Sequence, residues 1–191
     1  MRKGKYDEIF TPFHIGTVTV KNRIVMCAMG GTALIENGQF NENAREFFLS
    51  RAKAGVGLII PGVSLVTDKW GRGGWLDEAE EAFLGPVKDF VGEIHQYGTK
   101  LFLQIGAGMG RGLRADYGIT LPDFNYERAM VAPSDGLPNA FRPEMLHRGL
   151  SRDEIKKIID VFINSAQLAQ KAGIDGIEIH AVHEGYLLDQ F

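Results

Sequence analysis

The chain has 191 residues, 45% of them hydrophobic, and its 21 Lys and Arg against 24 Asp and Glu leave a formal charge of −3. That suffices for one buried core and argues against nucleic acid or an anionic membrane as partner. One cysteine, Cys27, rules out an internal disulfide or a cysteine-ligated iron–sulfur cluster within these residues.

No apolar run is long enough to span a bilayer, and the basic start Met1-Arg2-Lys3-Gly4-Lys5 has no apolar segment behind it. A cytoplasmic protein without a signal peptide is therefore expected. Tyr6 to Val20, punctuated by Pro12 and Gly16, suits a β-hairpin, in which His14 is expected to be no more than a hydrogen-bonded residue. Asn22 to Gly31 reads as a first strand entering a glycine turn, with Cys27 expected to be buried as a small apolar residue. Asn41 to Ala54 has helical spacing, with Ala44, Phe47, Phe48 and the Arg51 stem on one face and Gly55 as its stop. Gly57 to Val63 is a continuous apolar run, as expected of a strand covered on both faces. Gly62 either lets a ligand approach the backbone or makes a strand-end turn.

Thr67 to Trp75 is glycine-rich and carries both tryptophans, which either wall a pocket or pack the loop down. Pro86 is expected to open the second helix, whose apolar face is Val87, Phe90, Val91 and Ile94 and which stops at Gly98. In the third strand, Lys100 to Ile105, alternation places Leu101, Leu103 and Ile105 against helices and turns Phe102 and Gln104 the other way. A buried Gln104 needs partners, because an unpaired amide costs about 1 to 3 kcal/mol. Gly106 to Arg111 lacks the G-x-G-x-x-G spacing of a dinucleotide loop. Arg114 to Gly149 shows no clear period and is expected to overhang the carboxyl end of the strands, where Arg111, Arg114 or Arg128 would meet a carboxylate or phosphate.

Ser151-Arg152-Asp153-Glu154 is a capping box. The helix it opens carries Ile155, Ile158, Ile159, Phe162, Ile163 and Ala166 on one face and ends at Gly173. Three times a helix stops at glycine and an apolar strand follows, which indicates a parallel sheet, either a barrel or doubly wound. In the last strand Ile177 and Ile179 share one face, while Glu178 and His180 share the other.

The run Ile179-His180-Ala181-Val182-His183-Glu184-Gly185-Tyr186-Leu187-Leu188-Asp189-Gln190-Phe191 resembles the strand-four signature of the Old Yellow Enzyme family. Within it, Glu184-Gly185-Tyr186 resembles the 2-enoate reductase and 2,4-dienoyl-CoA reductase branch. The interval from His180 to Tyr186 is one residue longer than the commonest family form. The resemblance implies an α/β fold, the N-terminal half of a (β/α)8 TIM barrel with an N-terminal β-hairpin and truncated after strand 4. Residues 1–191 would then be a partial FMN-binding domain, the beginning of a longer protein.

It also implies a flavin-dependent reductase of activated carbon–carbon double bonds, with FMN as cofactor and NADH or NADPH as reductant. A 4Fe-4S cluster and FAD would belong only to further C-terminal domains. The substrate would be a small unsaturated carbonyl or carboxylate, in a chain free to form homo-oligomers. By the resemblance, the backbone at Ala28, Met29 and Gly30 lies along the flavin, Gly62 touches it, and Gln104 bonds its pyrimidine edge. Gly30 stands where many relatives carry a Thr or Cys that tunes the flavin potential, and Ala107 where they often carry His. His180 and His183 would bind the substrate oxygen, and Tyr186 would give a proton to the α-carbon.

A rival reading makes His180, His183 and Glu184 a zinc site of a barrel hydrolase. The helical H-E-x-x-H pattern is absent, and no metal is expected. Barrel enzymes often bind phosphate at the loops after strands seven and eight. On that ground the isolated fragment is expected to hold FMN weakly or not at all, to associate through its open sheet edge, and to be inactive unless complemented.

Overall fold

The computed structural model describes residues 4–36, 39–66, 80–113, 129–183 and 185–191. The tryptophan loop, Arg114, Arg128 and Glu184 lie outside the described residues. In chain order come the antiparallel pair β1 (Phe13–Ile15) and β2 (Val18–Val20), then β3 (Val25–Met26) and the hairpin of β4 (Ile35–Glu36) and β5 (Gln39–Phe40). Helix α1 (Glu42–Lys53), β6 (Leu58–Ile59), β7 (Ser64–Leu65), α2 (Glu80–His95) and β8 (Lys100–Gly106) follow. After β9 (Val131–Ala132), β10 (Leu137–Pro138) and β11 (Leu146–Gly149) come α3 (Arg152–Lys171) and β12 (Gly176–Ile179).

Helices α1 and α3 begin where their capping residues say they should. Asn41 caps α1 by accepting the N–H groups of Asn43 and Ala44, and α3 has both halves of its capping box. Arg148 grips the Glu154 carboxylate through two 2.9 Å hydrogen bonds. That fork, helped by the Ser151 N–H, pulls Glu154 down to about 2. Pro86 lies inside α2 rather than at its start, so the helix opens earlier than its proline suggests.

The main sheet runs β12-β8-β6-β3, all parallel, with β7 also paired to β8. Its outer face packs Leu101, Leu103 and Ile105 with Phe48, Phe90, Ile94 and Leu168 of the three helices. On its inner face Leu58, Ile60 and Phe102 pack with Phe13, Val18 and Val20, so the β1–β2 hairpin plugs one end. Burying such side chains contributes about 1.5 to 3 kcal/mol each.

Of the expected second strand, Gly57 to Val63, only β6 forms, and pairing with β8 resumes just beyond it at β7. Between the two pairings with β8 the chain advances one residue further than β8 does, which is a β-bulge. The bulge exchanges the faces. Leu58 and Ile60 point inward before it, whereas after it Val63 and Leu65 approach the inner-face Gly106. Pro61 has no N–H for a ladder, and Gly62 bridges sideways to Ala33, which explains the break there.

Two further expectations need correction. Cys27 is exposed, because β3 is the sheet edge, where Met26 joins the core while Val25 and Cys27 alternate away from it. On α3, Ile159 and Ile163 are about half exposed, and the buried set is Ile158, Ser165, Leu168 and Ala169. That helix flanks β12, which among the described residues pairs only with β8. His14 does hydrogen-bond, at 3.2 Å to Thr19. The described part of the aperiodic stretch holds a small sheet, β10-β11-β9, seated on Ala107 and Leu187 through Val131.

Candidate active site

β8 and β12 pair in register, Glu178 opposite Gln104 and Ile179 opposite Ile105. Side chains at paired positions of parallel strands share a face, so Gln104, Glu178 and His180 all stand on the inner face. An independent distance agrees, since a Cβ added to the inner-face Gly106 would lie 3.5 Å from the His180 Cβ. Gln104 is buried, and its Nε2–H donates to Glu178 Oε1 at 2.7 Å. Its carbonyl oxygen accepts no hydrogen bond from the described residues.

Beyond β12 three rings converge. His180 and His183 have centroids 5.3 Å apart, His180 and Tyr186 also 5.3 Å, and His183 and Tyr186 4.8 Å, with Tyr186 edge-on to both histidines. Burial depresses the His180 pKa, the neighbouring His183 adds to this, and the Glu178 carboxylate opposes it. His180 is therefore a neutral imidazole at neutral pH, with one ring N–H to donate and one nitrogen to accept.

Tyr186 is held by a zipper between the loops after β8 and β12. Leu187 N–H donates to Gly108 O, Gly112 N–H to Gly185 O, and Gln190 Nε2–H also to Gly185 O. Leu187 is fully buried against Ala107 and Val131. Gly110 has φ +47°, and a Cβ there would stand 2.2 Å from Gln190 Nε2 and 2.8 Å from the Leu187 backbone. We expect Gly110→Ala to cost about 1 to 3 kcal/mol and to weaken the cross-peaks between the His183 and Tyr186 rings. A urea titration and an NMR spectrum check both.

The other expected site residues are placed as follows. Ala28 joins the inner cluster with Phe102, Met29 is 45% exposed, and Gly30 is exposed with nothing near its missing Cβ. Gly62 is small because the chain closes on itself there, a Cβ falling 2.3 Å from the Met29 carbonyl oxygen. Its N–H is taken by Thr32, whose own hydroxyl donates to Met29 O. Gly62 thus seats the turn that carries Ala28, Met29 and Gly30. Arg111 spends its Nε–H on Pro138 O, and the glycine-rich loop leads into a single 3-10 turn, Gly110–Gly112. Among the described residues no three His, Cys, Asp or Glu groups converge, and Glu184 of the rival zinc set lies outside them.

Sequence reasoning missed the Glu178 contact, the bulge and the nesting of Gly110. For the first, alternation turns Gln104 and Glu178 each away from the apolar face of its strand, but only the register sets them opposite each other.

Parallel strands with helices on one side, and a polar, ring-lined cluster at their carboxyl ends on the other, make an α/β fold with a candidate site where barrel enzymes place theirs. The sequence profile of the NADH:flavin oxidoreductase / NADH oxidase family matches residues 8–191, and the chain belongs to that family, the Old Yellow Enzyme group. The cinnamate reductase of Clostridium sporogenes is 38% identical over 196 residues, an overlap of 99% of this chain and 28% of that protein. The NADH oxidase of Thermoanaerobacter brockii is 32% identical over 188 residues, covering 97% and 27%. The Old Yellow Enzyme from Pichia sp. AKU4542 shares the fold, with TM-score 0.77 at 22% identity, over 95% of this chain and 47% of that one. The chain thus spans between about a quarter and half the length of these relatives. Among the described residues no helix is long and apolar enough to cross a membrane.

Proposed function

We propose that residues 1–191 form the first half of an FMN-binding (β/α)8 barrel whose whole reduces activated carbon–carbon double bonds with NADH or NADPH. The observation that carries this is the convergence of His180, His183 and Tyr186 beyond the face that presents Gln104. The share of each relative covered and the outer edges of β3 and β12, unpaired among the described residues, support the half-barrel reading. Exposed Val25 and Ile179 lie on those edges.

The residues present fit a flavin. The buried Gln104 amide has an oxygen left to accept from a heterocyclic N–H, and Phe102, Ile60 and Val20 make an apolar floor. In this proposal Gln104 and the backbone of Ala28, Met29 and Gly30 hold FMN, with Gly62 supporting them. Bound there, FMN would supply hydride to the β-carbon of the alkene. His180 and His183 donate N–H groups to the substrate carbonyl or carboxylate and so stabilise the charge that develops on its oxygen. Tyr186 gives its hydroxyl proton to the α-carbon.

Since relatives include a cinnamate reductase, an aryl-substituted 2-enoate is the substrate class to try first. Iron–sulfur and FAD centres belong to this reading only if further C-terminal domains exist, and a cytoplasmic location is part of the same reading. The test is to record the FMN spectrum and the cinnamate-dependent oxidation of NADH and NADPH for two proteins. One is the 191-residue chain, and the other is the product of its gene read through to the stop codon. We expect weak FMN binding, self-association and no turnover from the first, and a yellow, active enzyme from the second. A colourless, inactive longer protein would overturn the proposal.

A further inference from the structure

Glu178 has no assigned part in the reaction, yet it is the only partner that the described residues offer the buried amide of Gln104. Register places the two opposite each other, and 2.7 Å separates Gln104 Nε2 from Glu178 Oε1. A carboxylate has lone pairs but no proton to give, so the amide must turn its NH2 group toward β12. Its carbonyl oxygen then points away from that strand and remains an acceptor. An amide without such a neighbour could present either end.

We infer that Glu178 is a positioning residue, which by accepting the Gln104 N–H makes the inner face select a flat ligand whose edge carries an N–H donor, as an imide does. The inference rests on the flavin reading above for the identity of that ligand, but not for the contact itself. Glu178 also acts on His180, two residues along the same face. His180 is faced by Glu178 from its own strand and by the rings of His183 and Tyr186 from the following loop, with Val63 and Leu65 close by around Gly106. Of these only Glu178 favours the charged imidazole.

The test uses Glu178→Gln and Glu178→Leu in the 191-residue chain. The glutamine keeps the shape and loses the charge, and its amide can donate as well as accept, so Gln104 becomes free to turn over. Leucine removes the partner. Three NMR readouts apply: the Gln104 side-chain NH2 signals, the titration of His180, and binding of FMN against its N3-methyl analogue by line shape, which detects weak complexes.

We expect the hydrogen-bonded NH2 signal to move toward that of a free amide in Glu178→Leu, and His180 to titrate at lower pH in both variants. The parent chain should prefer FMN over the N3-methyl form by about tenfold, the worth of one hydrogen bond to a ligand. That preference should shrink toward parity in Glu178→Gln. Unchanged NH2 signals and an unchanged His180 titration in both variants would overturn the positioning role. Changed signals with equal binding of the two flavins by the parent chain would overturn the choice of ligand alone.

Discussion

Replacing Tyr186 with Phe in the longer, flavin-loaded protein is expected to slow reduction of an activated alkene by about a hundredfold or more, the usual contribution of a placed proton donor, while flavin binding stays as it was. The reason lies in what the change leaves untouched. Phenylalanine keeps the ring that stands edge-on to His180 and His183, and Leu187 and the Gly185 hydrogen bonds still hold the loop. Only the hydroxyl goes, and with it the proton proposed for the α-carbon.

Stopped-flow measurement of the two half-reactions separates proton delivery from a general weakening. Reduction of the flavin-loaded enzyme by NADH or NADPH should keep its rate, and its reoxidation by the alkene should carry the whole loss. If both halves run at parental rates, Tyr186 is packing and not a proton donor. If both slow together, the ring cluster has moved and the variant reports on structure instead.

How much of this could be read in advance depends on whether the determining contact is local. The division of Leu101, Leu103 and Ile105 from Phe102 and Gln104 needs only the two-residue period of a strand, and it holds. The Ser151 cap and its Glu154 partner are three residues apart and equally plain. His180, His183 and Tyr186 fall within one short loop, so their meeting was legible too.

The exposure of Cys27, Ile159 and Ile163 was not, because it depends on which strands border the sheet, a fact of topology that no local pattern carries. Nor could the bulge between Ile60 and Val63 be read from a run with no polar residue to mark the change of face. The pressure on Gly110 to be glycine comes from Leu187 and Gln190, far along the chain. The pairing of Gln104 with Glu178 needed the register of two strands separated by a whole helix.

Replacing Asp175 with Ala is expected to cost the fold about 3 kcal/mol, the scale of breaking a largely buried charge cluster. This carboxylate lies just before β12, and Oδ2 takes the Leu101 N–H at 2.9 Å and His95 Nε2 at 2.7 Å, while Oδ1 takes Lys100 Nζ at 2.8 Å. It thereby ties α2, β8 and β12 together at the amino-terminal ends of the strands, away from the candidate site. Burial by itself would raise its pKa, but the Leu101 N–H, Lys100 and His95 outweigh burial and the pKa is lowered.

The sign of the linkage follows. The stabilisation is present above the ordinary aspartate range and is lost as pH falls through the lower, folded value. A separate loss begins higher, because burial holds both His147 and His180 below the ordinary histidine value of 6.5. The unfolded chain then takes up their protons first. Urea midpoints measured from neutral to acid pH should fall in two stages for the parent chain. Asp175→Ala should start lower, keep the upper stage, and retain of the lower stage only the smaller part that Glu154, held down by Arg148, contributes. Asp175→Asn, which still accepts hydrogen bonds but carries no charge, should lie between. An Ala variant within a few tenths of a kcal/mol of the parent at neutral pH would show that the cluster is solvated in solution and ties nothing together.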